Sequence, residues 1–225
     1  MFMKRSLRET LVRVLLLFAG LTIAHFGVTL FLLADAGSDP FNVLIQGLFR
    51  ALSHAFPWSF LTHGNTHVAV CFLIILILLF VDRSYIKIGT LLCMICGGPI
   101  IDIFTGILSP FFTERPSFPG SLLILAAACV ILAFGMTIVI KSDAGTGPND
   151  LVAVVISDKL HKSFSVIRIL VDLSFVAIGF LLGGSVGIGT IVCAGLVGPV
   201  AGFFLPLHDK WMPKFIQTFT VKKQP

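Results

Sequence analysis

Charge is what this sequence has least of. Lys, Arg, Asp and Glu make up 12% of its 225 residues, where a soluble domain carries about 25%. With 56% hydrophobic residues and a mean hydropathy of +1.02, the chain cannot clothe itself in a polar surface. That excludes a water-soluble domain and leaves an integral membrane protein. Cysteine is sparse as well. Cys71, Cys93, Cys96, Cys129 and Cys193 all fall within apolar runs, where free Cys behaves as a small buried hydrophobe, so a disulfide framework is not expected. Cys93 and Cys96 would share a helix face, but no second Cys or His pair completes a zinc site, so no metal is expected. Walker-type lysine motifs, nucleophile elbows, metalloprotease motifs and dinucleotide fingerprints are lacking. Neither an ATP-driven nor an enzymatic role has support, and no cofactor is implied. The formal net charge of +5 comes without a basic stripe interleaved with aromatics, so nucleic acid is not an expected partner.

What the sequence does have is long apolar runs. A helix crossing the hydrocarbon core needs about 20 apolar residues. Six segments meet or approach that length: 11–34, 66–82, 88–109, 119–141, 165–182 and 188–207. The first follows Lys4, Arg5 and Arg8 and mimics a signal peptide, but the run from Val14 to Ala34 exceeds the about 7–15 residues of such a segment. Two further stretches, 40–53 and 148–161, are too short to span and too apolar for loops, which predicts re-entrant or interfacial helices. Of the 16 Lys and Arg, 14 fall on one side of this topology and only Arg50 and Arg115 on the other. Positive charge in short loops marks the cytoplasm, so both termini are expected there. The residues 208–225 read as a cytoplasmic tail, in which Lys210–Phe219 mixes basic and apolar residues.

One pattern occurs twice. Asp35-Ala36-Gly37-Ser38-Asp39-Pro40-Phe41-Asn42 is echoed by Asp143-Ala144-Gly145-Thr146-Gly147-Pro148-Asn149-Asp150. Each copy is followed by Ile-Gly-Thr, at 88–90 and 188–190, and then by Gly-Pro, at 98–99 and 198–199. Repeats of this length constrain the whole fold. With three spans in each, repeat one (11–109) and repeat two (119–207) run in opposite senses through the membrane. The expected architecture is therefore an all-α single membrane domain of six transmembrane helices. It is built as two inverted three-helix repeats, each with a short half-helix after its first span.

Each motif has the physics of a helix start. Gly37 and Gly145 permit strained backbone. Pro40 and Pro148 suit the first helical position. Ser38 or Asp39 can cap the first copy, and Thr146 or Gly147 takes that place in the second. Asn42 and Asp150 sit where they can fold back onto free amides. Two half-helices with their positive dipole ends near the midplane could hold an anionic or polar solute, with Thr90 and Thr190 lining the approach. The competing view is that these are capped interfacial turns. Capping alone does not explain why Asp-Ala-Gly recurs on both sides of the membrane.

Ionisable groups inside a bilayer are functional candidates. Asp102 lies beyond the Gly-Pro of the third span, opposite Gly202 in the repeat. Arg168 and Asp172 stand one helical turn apart and can pair. Asp172, Asp102 and Arg168 are the proton-coupling candidates. His25 in the first span is another titratable group, and a lone helix His is more often simply hydrogen-bonded.

On the motif at Asp143–Asp150, its partner at Asp35–Asn42 and the two Ile-Gly-Thr…Gly-Pro helices, the chain resembles the YczE/YitT family of bacterial multi-pass membrane proteins. The resemblance covers about 20–207. Asp39 stands where the second copy has Gly147, and Phe41 where it has Asn149. What the resemblance implies is a six-helix inner-membrane protein, without a particular substrate. The expected function is a small-solute secondary transporter or channel-like permease. The alternative is a membrane-embedded binding or accessory subunit. Its partners are the lipid bilayer, a small-molecule or ion substrate, and either a second copy or an accessory membrane protein.

Overall fold

The computed structural model describes residues 6–34, 36–56, 58, 60–112 and 117–220. Among these the chain forms eight α-helices and no strand: α1 (Leu7–Leu33), α2 (Pro40–Ala55), α3 (His63–Val81), α4 (Ile88–Leu108), α5 (Phe118–Ser142), α6 (Pro148–Leu160), α7 (Phe164–Leu181) and α8 (Ile188–Thr220). Six of them, all but α2 and α6, are long and apolar enough to cross a membrane. Large side chains such as Phe72, Phe80, Phe180 and Leu181 point outward, and only lipid can cover such a surface.

The interior is organised on α1 and α5, the most extensively packed helix pair. Small residues let them touch. A Cβ on Gly27 would land 2.8 Å from Ala128 O, and one on Gly20 would land 2.8 Å from Gly135 O. Close backbone approach of this kind is how membrane helices gain packing energy when lipid is as apolar as their side chains. α4 lies against α1, and α8 against α5 and α7.

The short helices α2 and α6 do not lie on the surface. After the buried first-turn prolines, Pro40 and Pro148, the buried positions are Phe41, Val43, Ile45 and Gly47 in α2 and Leu151, Ala153, Val155 and Ser157 in α6. Residues two apart are about 200° apart around a helix, so alternate burial means that two opposite faces are covered. An interfacial helix would bury one stripe. Both helices are wedged between α3 and α7. No residue of 40–49 or 148–157 is exposed, whereas Arg50 and residues 158–160 are. Each helix therefore enters the bundle N-terminus first. Phe175 of α7 packs against Phe41 at the start of α2 and joins the cluster that Ala153 of mid-α6 forms with Ile167 and Val171 of α7.

α8 runs past the expected boundary at 207 to Thr220 and is 33 residues long. At 1.5 Å per residue that is about 50 Å, well beyond a hydrocarbon core of about 30 Å. The extension is no loose tail. His208 is completely buried among Phe134, Phe204 and Trp211, Met212 and Ile216 pack on Leu16 and Ile138, and Lys141 pairs with Asp209 at 2.7 Å.

Candidate functional site

The two copies of the motif form loops of the same backbone shape. Gly37 has φ +131° and Gly145 φ +135°, a region where only glycine is at ease. Space requires glycine as well: a Cβ on Gly37 would sit 2.9 Å from Gly187 Cα, and one on Gly145 would collide with the Thr90 amide nitrogen. The loops are also cross-docked. The Gly189 amide donates to Ala36 O at 2.8 Å, and the Gly89 amide donates to Ala144 O at 2.9 Å. Each Asp-Ala-Gly is thus held by the Ile-Gly-Thr of the other copy, which gives those buried backbone groups the partners they require. Asp35 lies outside the described residues. Its counterpart Asp143 ends α5 in the left-handed region at φ 56°, where the Lys87 ammonium holds it directly and Arg13 lies 3.7 Å away. These groups line a cavity of about 100 Å³ with Thr10, Val14, Ile88 and Ala144.

The starts of α2 and α6 differ chemically. Asp39 caps α2: its Oδ1 accepts from the Phe41 and Asn42 amides at 3.1 Å each, and the Asn42 side chain donates to Oδ2 at 2.6 Å. Asn42 therefore turns to the capping side chain and not to free amides. Nearby, the Thr190 hydroxyl donates to Ser38 O at 2.5 Å. α6 begins at Pro148 after Gly147, with no side-chain cap. Asp150 does not fold back onto the amides as expected. Its Oδ1 accepts from Arg168 Nη1 at 2.5 Å and from the Asn149 side chain at 3.2 Å. Arg168 Nη1 offers a charge-assisted bond stronger than a neutral amide can give, so it wins the carboxylate. Thr90 and Thr146 are buried, and their hydroxyls have no hydrogen-bond partner.

Arg168 and Asp172 pair across one turn of α7, Nε to Oδ2, at 2.8 Å. Asp172 is fully buried and its Oδ1 has no partner. Arg168 thus ties the start of α6 to the middle of α7 through two carboxylates. Asp39 at the start of α2 lies within electrostatic reach of Asp172. Ions are drawn so far into an apolar interior only with strong compensation. His25 donates Nδ1–H to Leu21 O at 2.7 Å. Its Nε2 faces Gly97, where a Cβ would lie 2.7 Å away, and the ring is within electrostatic reach of Asp150.

Asp102 is not brought into this group. It stands on an exposed face of α4 with Gly98 and Gly106, and a Cβ on either glycine would meet nothing within 4 Å. Cys93 is buried and Cys96 half-buried. No cluster of three or more His, Cys, Asp or Glu among the described residues could hold a metal ion. Arg13 and Lys87 escaped the sequence reading as contacts of the motif. Their basic character served there only to mark orientation, and nothing in local spacing ties them to Asp143.

A family profile described as a family of unknown function, DUF6198, matches residues 11–206. The uncharacterized membrane protein YczE of Bacillus subtilis is 30% identical over 200 residues, covering 88% of this chain and 88% of its own. An uncharacterized protein of Haemophilus influenzae is 31% identical over 194 residues, covering 85% of this chain and 82% of its own. YyaS of Bacillus subtilis is 22% identical over 191 residues, covering 85% and 91%. No solved structure matches.

Proposed function

We propose, for a chain that belongs to the DUF6198 family of YczE-like membrane proteins, that it is a small-solute permease of the bacterial inner membrane. The observation that carries this reading is the pair of short helices buried between α3 and α7, with the start of α6 tied through Asp150 to Arg168 and Asp172. Discontinuous helices in matching positions of two halves are the usual mark of a transport site. In this reading the halves are inverted repeats with both termini cytoplasmic. The loop at 36–39 belongs to the outer half-site and the loop at 143–150 to the cytoplasmic one. The cross-docked loops support that symmetry, since each makes the same backbone bond to the opposite Ile-Gly-Thr. Asp172 is the proton-coupling group, because a fully buried carboxylate oxygen without a partner is most readily stabilised by taking a proton.

The test is solute-evoked current and internal pH change in proteoliposomes, across small anions, amino acids and cations. Asp150→Asn and Asp39→Asn are run beside the native chain, each checked for folding. A response lost in both variants supports a path between the motifs. Silence from well-folded protein with every solute removes the permease.

A second reading has its own observation. Gly98, Asp102 and Gly106 recur every four residues on an exposed face of α4. A membrane carboxylate facing lipid is costly, and small residues admit a close helix. On that face a second copy or an accessory membrane protein would dock, making the chain a subunit of a complex. Crosslinking from a cysteine placed at Gly106 separates the two readings: a single partner captured in membranes favours the complex.

A further inference from the structure

The two copies of the motif share a backbone but differ in which donors are taken. In the first copy the Phe41 and Asn42 amides go to Asp39, as does the Asn42 side chain, and the Thr190 hydroxyl goes to Ser38 O. In the second copy a carboxylate, Asp150, stands in place of the Asn42 donor, while the backbone and threonine donors lack side-chain partners. Gly147 brings no side-chain cap to α6. The hydroxyls of Thr90, 0% exposed, and Thr146, 4% exposed, bond to nothing. Arg168 commits Nε to Asp172 and Nη1 to Asp150 and Met136 Sδ, which leaves Nη2 without a protein partner among the described residues. Thr90 abuts this loop, since its amide blocks any side chain at Gly145. Buried hydroxyls without partners are rare in folded proteins and call for an explanation. Here two of them stand beside an uncapped helix start, whose dipole favours negative charge.

We propose that the start of α6 is a binding site for a small monovalent anion, held by the Thr90 and Thr146 hydroxyls, the open amides of α6 and Arg168 Nη2. As a site it stands on this donor set; as a transport site it rests on the permease reading above. The charge balance adds a second component. Arg168 is flanked by Asp150 and Asp172, so the cluster carries one net negative charge before any ligand enters. The other titratable groups facing Asp172 are Asp39 on α2 and the Cys193 thiol on α8, and neither supplies a positive charge. A second negative charge in a low-dielectric interior is strongly unfavourable. The anion therefore enters with a proton from the bulk solution, which binds the Asp172 carboxylate at its unpartnered Oδ1 to give the neutral acid. Arg168 then balances Asp150 alone, and the anion is held by neutral donors and the helix start. The cargo is one anion with one proton.

The test separates binding from transport. Purified chain in nanodiscs is melted in sodium formate, nitrate or chloride, with sodium gluconate as the bulky control, at acidic and at neutral pH. Small anions raise the unfolding temperature over gluconate, and more so in acid. Thr90→Val with Thr146→Val weakens that response about tenfold or more, a change of about 1.4 kcal/mol in binding, while Thr90→Ser with Thr146→Ser retains it. Asp172→Asn binds anions equally at both pH values. Equal melting in all four salts overturns the site, as does a native response that survives loss of both hydroxyls. Flux of the same salts into proteoliposomes is measured separately. Anion binding without flux of these salts keeps the site and removes the anion as cargo. Flux of cations or amino acids without anion binding keeps the permease and removes this site.

Discussion

Removing Arg168 tests whether the charges on α7 and α6 form one unit. The Arg168 side chain is 8% exposed and lies between Asp172, at 1%, and Asp150, at 20%. Arg168→Leu strands the fully buried Asp172 carboxylate with neither oxygen paired. Breaking a buried ion pair by deleting one partner costs about 3–5 kcal/mol, whereas replacing the pair with apolar groups of like volume is often neutral. For a chain of this size each kcal/mol moves the melting temperature by about 2–4 °C, so Arg168→Leu is expected to melt about 6–20 °C lower. Arg168→Leu with Asp172→Leu should recover most of that. Recovery stays incomplete because Asp150 keeps its Asn149 bond but loses its cation. Thermal unfolding in detergent with a thiol-reactive dye reads this directly, since four of the five cysteines are buried. A double variant as unstable as the single one would refute the reasoning and assign the loss to packing of the Arg168 stem. A single variant as stable as the native chain would mean that water reaches the carboxylates.

Gly145→Ala and Gly37→Ala force a side chain into positive φ and into neighbouring backbone, for about 2–5 kcal/mol of destabilisation. Gly98→Ala meets open space and should be silent in the same melt. Thr190→Val leaves Ser38 O without its donor and should cost about 1–2 kcal/mol, while Thr90→Val removes a hydroxyl that bonds to nothing and should leave stability equal or higher. Asp82, in the turn between α3 and α4, accepts from Ser84 and then from Lys159, which together hold its carboxyl down to about 2. The folded value is depressed, so its contribution is present above about pH 4 and is lost as pH falls towards 2. Hydrogen exchange at the Ser84 amide should quicken across that window, and Asp82→Asn should abolish the change.

Much of this was legible before any coordinates. Apolar length located six long helices, because only a helix satisfies its own backbone in lipid. Proline three residues after glycine marked the starts of α2 and α6, and the four-residue spacing announced the Arg168–Asp172 pair. Other features were out of reach for physical reasons. Helical spacing shows neighbours on one helix only, so nothing linked Arg168 to Asp150, 18 residues away. The exchange of backbone bonds between Ala36 and Gly189 and between Ala144 and Gly89 depends on tertiary docking. α8 continues through Pro206 and Pro213, past the expected end at 207. Packing of Met212 and Ile216 on Leu16 and Ile138 holds the helix where local propensity argues against it.

The cross-docked loops bear on how the molecule is made. Synthesis delivers α1 to α4 first, yet the groups that seat Ala36 and Gly47 belong to residues 179–189. Until those emerge, α2 has no α7 to lean on, and the closing contacts span most of the chain. Such long-range closure is slow and is the natural last step of folding. The same exchange makes the halves mutually dependent. A chain cut between α4 and α5 should give two pieces, neither able to complete its own loop. Inserted into one membrane, each carries the clasp that the other needs.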